Sequence, residues 1–469
     1  MRSWPKGRLV AVVLAIGALL AACGGNAHEG PTARSAAAPT PVVVDTDMST
    51  DDVLALVYLL GRRDVDVRAV AVSGTGIADC PQGARNARAL LAFAGRGDLP
   101  VGCGRPDPLA GANGFPPEWR ARADELFGVK LPAAPRGQIG DAVEVLRRAI
   151  QSADGKVTVL SLAPMTDTAL LLRSDRDVRD RIASIVAMGG AAAVPGNIGP
   201  GHERSEWNLW IDPVAAREVL GSGMPITLVG LDATNDVPAT VYLWDVLDRH
   251  HAGARAAAAW RLMASSGMFA GGQYLWDPLA AAAVVRPDVL TFGRRRVNVV
   301  TTGADAGRLV EDPRGPPVRL ALGADRPAFE RQFLTALIGR TRFAIPAPEQ
   351  RAVLRCADSG CAYRGPRRTA PGQGTLDTVN DASRPFTHLI GRLHEGRTAA
   401  DLRRYVRAQS GRDFHPPAWL STAITGQTPP HSTMTWLIGA TAGDYVLVAT
   451  MKDPAQTWVV AGVAVRSVR

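Results

Sequence analysis

A chain of 469 residues is too long for one ordinary domain and predicts two or three. Apolar residues make up 46%, enough for sizeable cores, and the net charge of +9 comes from scattered arginines rather than from runs. No stretch combines a clustered basic face with aromatic platforms, so no nucleic-acid partner is expected, and the charge fits solubility with weak attraction to anionic surfaces.

Residues 1–23 read as targeting rather than fold. Arg2, Lys6 and Arg8 form a positive n-region, and residues 9–20 an apolar stretch too short for a comfortable membrane span. It ends in Leu20-Ala21-Ala22-Cys23, which resembles a bacterial lipoprotein signal with its lipobox. The resemblance implies lipid on Cys23 and a protein held at the outer face of the cell membrane, anchored by more than one acyl chain. Residues 24–41, rich in Gly, Ala, Pro, Ser and Thr, read as a flexible linker.

Residues 42–44, three valines, predict a short buried strand. Asp45, Asp47, Asp51 and Asp52 then crowd into eight positions, followed by an apolar run at 53–60 that predicts a helix carrying Asp51 and Asp52 in its first turn. A helix N-terminus favours acidic residues, which accounts for one or two of the aspartates but not four. Carboxylates this close repel unless protons or a cation lie between them, and an all-oxygen cluster selects a hard cation, Ca²⁺ or Mg²⁺.

Strands are predicted at 67–73, 99–102, 157–162, 185–188 and 226–229, interleaved with helices at 83–94, 141–153 and 168–173. This alternation predicts an α/β fold, a mostly parallel open sheet with helices on both faces, whose ligands bind beyond the carboxyl ends of the strands. Gly74-Thr75-Gly76 lacks the third glycine of a dinucleotide fingerprint, and Asp79-Cys80-Pro81 interrupts the following helix start, so it reads as a tight turn lining a site. A last helix at 324–338 closes this region, giving a predicted domain at 42–344. Residues 345–469 change to Pro, Gly, Thr and short alternating runs. Strands at 433–437, 445–449 and 458–465 and one Thr-capped helix at 398–409 predict a small, mostly β sandwich-like module.

Beyond Cys23, four cysteines remain, an even count that suggests disulfides in an exported protein. Cys356 and Cys361 close a small loop, and Cys80 with Cys103 is the other pair by default. None has metal-ligand spacing.

Asp47-x-x-x-Asp51-Asp52 after a strand resembles the signature of the inosine/uridine-preferring nucleoside hydrolases. The resemblance extends through Ala84-Arg-Asn-Ala-Arg-Ala-Leu-Leu91, Leu162-Ala-Pro-Met-Thr-Asp-Thr-Ala169, Met188-Gly-Gly190, Gly196-Asn197, Ser205-Glu-Trp-Asn-Leu209 with Asp212-Pro213, and Trp276-Asp-Pro-Leu-Ala280. It covers roughly residues 42–339. It implies Ca²⁺-dependent hydrolysis of the N-glycosidic bond of nucleosides, with Asp47, Asp52, Asp277 and the Thr166 carbonyl as metal ligands. Asp47 would also accept the water's proton; Asp51, Asn197, Glu206 and Asn208 would hold the ribose, with Asp45 supporting the loop from behind. Relatives commonly form homo-oligomers, which makes self-association an expectation for this chain.

Two positions depart from that pattern. Trp276 stands where many relatives carry the His regarded as the leaving-group acid, and an indole is a donor without an accessible pKa. Tyr274, His202, or stacking of the base on Trp276 or Trp207 are the replacements the sequence offers. Ser73-Gly-Thr-Gly76 stands where the family has Gly-Asn, with Thr75 as partial substitute at the ribose. The C-terminal stretch resembles cupredoxin-like β-sandwiches, yet no Cys follows 445–448, so no blue-copper centre is expected. His388, His394, His415 and His431 then read as surface or structural residues. Two other functions fit the same residues: a weakly catalytic riboside-binding lipoprotein, or an extracellular scaffold acting through the β module.

Overall fold

The computed structural model describes residues 38–465 apart from 134–136, 200, 240, 267, 269–272, 340–349, 370–371, 395, 410–413, 429, 431, 441 and 452–455. Cys23, the targeting segment, nearly all of the linker and His431 lie outside the described residues.

The ten-stranded sheet is built from β1 (Thr40–Thr46), β2 (Val65–Val72), β3 (Val101–Cys103), β4 (Gly140–Asp141), β5 (Val157–Ser161), β6 (Ile182–Met188), β7 (Ile226–Val229), β8 (Leu290–Val299), β9 (Leu309–Glu311) and β10 (Pro317–Ala324). Their spatial order is β4-β3-β2-β1-β5-β6-β7-β10-β8-β9. Pairing is parallel from β4 to β10 and antiparallel at β8 and β9. The alternation of strand and helix thus produced the mostly parallel sheet expected of it.

Strand β1 shows why both faces are covered. Val42 and Val44 belong to one apolar core and Val43 to the other, because successive side chains point to opposite faces. The first core holds the helix Thr50–Leu60, buried from Asp51 to Leu59, together with Trp276–Val285 and Arg326–Ile338; the second holds Ala142–Gln151 and Pro213–Leu220.

The helix expected at 83–94 runs from Cys80 to Phe93 instead. Cys80 and Pro81 do not interrupt its start: Asp79 is the N-cap and Pro81 sits in the first turn, where a missing N–H costs nothing. Both expected disulfides form, Cys80–Cys103 and Cys356–Cys361. The first joins the start of that helix to the end of β3.

The C-terminal region is mostly β: a four-stranded sheet β12-β11-β14-β17 and a five-stranded sheet β13-β19-β18-β15-β16, where β11 is Gln350–Ala357, β12 Gly360–Arg364, β13 Arg368–Thr369, β14 Gly372–Asn380, β15 Phe386–Leu393, β16 Leu420–Thr428, β17 Ser432–Ala440, β18 Gly443–Met451 and β19 Gln456–Val465. Leu354 and Leu376 from one sheet and Phe386, Leu447 and Ala449 from the other share one core. The helix Ala399–Ala408 opens on a capping box between Thr398 and Asp401. His388 is fully buried, whereas His394 bonds Ser421 at 2.7 Å on the surface.

Candidate active site

Between β1 and β5 the chain order reverses: β2, β3 and β4 extend to one side of β1, while β5, β6 and β7 extend to the other. Open parallel sheets leave a crevice at such a point, outside the carboxyl ends of the strands. A cavity of about 440 Å³ opens there, within the range of small-molecule sites. Asp47, Asp51, Asp52 and Asp277 line one part of it, and Asn197, Glu206 and Asn208 another.

Asp47 follows directly on β1, and the turn after it is tight. Met48 has φ 60°, a left-handed conformation that L side chains adopt at a cost, and is fully buried. The Asp47 carboxylate accepts from Ser49 N at 3.2 Å, and its own backbone N–H donates to Asp52 at 3.0 Å. The Ser49 hydroxyl bonds Asp51, and the Thr46 hydroxyl bonds Asp52. The helix Thr50–Leu60 places Asp51 and Asp52 in its first turn as expected, and Asp277 arrives from the first turn of Trp276–Val285. One carboxylate oxygen each from Asp51, Asp52 and Asp277 lies within 4.8 Å of the others, all three buried.

Such packing is hostile to negative charge. Burial first, then the charge of Asp52, pushes the Asp51 carboxyl up to about 6. Burial and the same neighbour hold Asp47 well above the usual carboxylate range; for Asp277, burial comes first and the charges of Asp51 and Asp52 follow. Burial and neighbouring carboxylates are the main influences that raise all three. Buried, hard, all-oxygen donors with uncompensated charge fit a divalent metal ion of the calcium type. The tightest group contains Asp51, which the family resemblance assigns to the sugar. Asp47 joins through its link to Asp52.

Behind this group, Asp45 is completely buried and accepts from Thr168 Oγ1 at 2.8 Å, and burial pushes its carboxyl up to about 7. Thr75 and Thr166 are also buried, and their side chains do not line the cavity. Their hydroxyls are 3.1 Å apart, and Thr166 continues to Asp212 at 2.8 Å. Asp212 in turn caps the helix Pro213–Leu220 through Ala215 N. Sequence reasoning had Asp212 only as part of a motif; its role as anchor of this chain depends on the fold.

Glu206 is the N-cap of the helix Trp207–Ile211. It accepts backbone N–H groups from Gly190 at 3.0 Å, Asn208 at 3.0 Å and Leu209 at 3.2 Å. Its carboxyl is nevertheless raised, because burial outweighs these bonds. Asn208 donates to the carbonyls of Leu162 at 3.0 Å and Met188 at 3.3 Å, locking the ends of β5 and β6 together. Asn197 Oδ1 accepts from Trp207 N at 3.2 Å.

The rest of the wall is aromatic. Phe115 stacks on Trp207 with ring centroids 5.2 Å apart, Trp119 meets the same ring at 5.2 Å, and Phe127 and Trp276 line the cavity with them. The Trp276 indole N–H is buried and has no hydrogen-bond partner. His202 and Tyr274 do not line the cavity: His202 packs against Trp210 at 5.3 Å, and Tyr274 against Trp276 at 5.6 Å. Of the replacements offered for the missing acid, only the stacking surfaces therefore face the space. Phe115, Trp119, Arg122 and Phe127 carried no motif, and their aromatic density was the one signal that could have marked them.

The sequence profile of the inosine-uridine preferring nucleoside hydrolases matches residues 42–331. Over 280 residues the chain is 30% identical to uridine nucleosidase 1 of Arabidopsis thaliana, covering 58% of this chain and 81% of that protein. Over 288 residues it is 30% identical to the pyrimidine-specific ribonucleoside hydrolase RihA of Salmonella enteritidis PT4, covering 56% of this chain and 85% of that one. Its fold matches the purine-preferring ribonucleoside hydrolase from Gardnerella vaginalis with a TM-score of 0.55 at 26% identity, over 64% of this chain and 98% of the other. The chain belongs to the inosine-uridine preferring nucleoside hydrolase family, a family of N-glycosyl hydrolases.

Proposed function

We propose that this protein hydrolyses the N-glycosidic bond of ribonucleosides in a Ca²⁺-dependent reaction, at the outer face of the membrane to which lipid on Cys23 holds it. The observation that carries the reading is the buried group of Asp51, Asp52 and Asp277 facing an aromatic wall across one cavity.

Asp47, Asp52, Asp277 and the Thr166 carbonyl would hold the ion, which supplies polarisation of ribose hydroxyls and a water of lowered pKa. Asp51, Asn197, Glu206 and Asn208 hold the ribose through its hydroxyls; Thr75 supports Thr166 from behind. Asp47 accepts the proton of the attacking water. Breaking the C1′–N bond leaves an oxocarbenium-like sugar, and the surrounding carboxylates stabilise its positive charge. Trp276 and Trp207 offer faces on which the base stacks. Residues 42–344 carry this chemistry, and residues 345–469 form a separate module.

Incubation with Ca²⁺ and a panel of purine and pyrimidine nucleosides, with free ribose as readout, tests the reading. Ribose release from at least one of them is expected. Binding of ribosides without any release favours the riboside-binding alternative, to which Trp276 in place of an acid lends support.

A further inference from the structure

Among the described residues lining the cavity, Arg122 carries the only positive charge; every other ionisable group there is a carboxylate. It projects from the helix Pro117–Asp124, one turn after Trp119, so both side chains occupy the same helical face. Its Nη2 donates to Ser266 O at 3.3 Å, and its guanidinium carbon lies 5.9 Å from the centre of the Phe127 ring. The helix is pinned to the loop that packs on Asp47. Arg120 donates to Gly76 O at 2.6 Å and bonds Asp79, whose backbone N–H donates to Asp124 at 2.8 Å. Asn86 adds a bond to Asp124 O at 3.0 Å.

Resting on the hydrolase reading, we propose that Arg122 is a catalytic residue that contacts the departing base and stabilises the negative charge it acquires. When the C1′–N bond breaks, its electron pair leaves with the base nitrogen. The water oxygen bonds C1′, the water's proton passes to Asp47, and solvent returns a proton to the released base. Arginine does not act as the acid, since a guanidinium keeps its proton in proteins. A fixed cation at the place where negative charge develops lowers the barrier electrostatically instead. This assigns the leaving-group half of the reaction to a residue of a different element from the one that carries Trp276.

The test compares nucleosides with p-nitrophenyl β-D-ribofuranoside, whose phenolate departs with far less help. Arg122→Gln should lower kcat on nucleosides by about 10²-fold, with a loss at least about tenfold smaller on the p-nitrophenyl substrate. Arg122→Lys, which keeps the charge, should recover part of the nucleoside rate, and thermal melts check that both variants fold. Equal losses on the two substrates, or none on nucleosides, overturn the assignment of Arg122 alone. Failure of the unmodified protein to cleave either substrate overturns the hydrolase reading itself.

Discussion

The backbone N–H of Asp277 donates to the Asp51 carboxylate at 3.3 Å, joining residues 226 positions apart. Two helix N-termini meet there, and the acidic residues of both first turns face one space. Substituting Asp277 by Asn should lower kcat/KM by more than a hundredfold, on the order of what loss of a metal-site partner causes or more. The same change removes one of several crowded negative charges. In chelator-treated protein it should raise the melting temperature while abolishing the upward shift that Ca²⁺ produces in the unmodified protein. An unchanged Ca²⁺ response in the variant would contradict the metal assignment.

Gly76 packs so closely on Asp47 that a Cβ at position 76 would overlap the Asp47 side chain. Gly76→Ala should displace Asp47 from Asp52 and lower turnover by about 10²-fold, the scale of a misplacement near 1 Å. Because the turn lies at the cavity rather than within either core, the melting temperature should change far less than the rate.

His388 is buried with neither ring nitrogen hydrogen-bonded, packed edge-on against Trp436 at 4.6 Å. Burial lowers its pKa from 6.5 to about 4, so the folded β region holds it neutral. Below pH 6.5 the unfolded chain takes up a proton that the folded one refuses. Stability is therefore complete above pH 6.5 and falls as the pH drops toward 4, by roughly 3 kcal/mol in all. Chemical denaturation between pH 7 and pH 4 measures this, and His388→Leu should flatten the slope. A slope that persists in the variant assigns the effect to other groups.

The proposed membrane anchor rests on Cys23. Cys23→Ala should move the protein from the membrane fraction to the soluble exported fraction without altering its activity on nucleosides. Membrane retention of the variant would count against lipid anchoring.

Much of this molecule could be read from local sequence, because local physics set it. The valines at 42–44 formed a strand, since β-branched residues flanked by turn formers fit a buried sheet. The acidic first turn at 51 and 52 formed where a helix N-terminus accepts negative charge. The capping box at Thr398 and Asp401 is local in the same sense. Strand β8 was missed: its Gly293-Arg-Arg-Arg296 stretch is half-exposed near the sheet edge and shows no apolar run. The start at Cys80 was missed because Pro81 reads as a breaker until its place in the first turn is known.

The sequence by itself determined the main alternation of strands and helices and the crowding of Asp47, Asp51 and Asp52, and its family resemblance added Asp277 to them. Only the tertiary structure decided what surrounds them. Asp277 reaches Asp51 because two helices pack against each other in the same core. The side chains of Thr75 and Thr166 stand behind the cavity because their hydroxyls bond each other and that of Thr166 bonds Asp212. Trp119 and Arg122 come from a helix with no motif, brought to the carboxylates by hydrogen bonds to the Gly76 loop. Periodicity and capping act over a few residues and are visible in order along the chain. A binding surface is the sum of packing between distant segments, and the order of residues does not record which of them will meet.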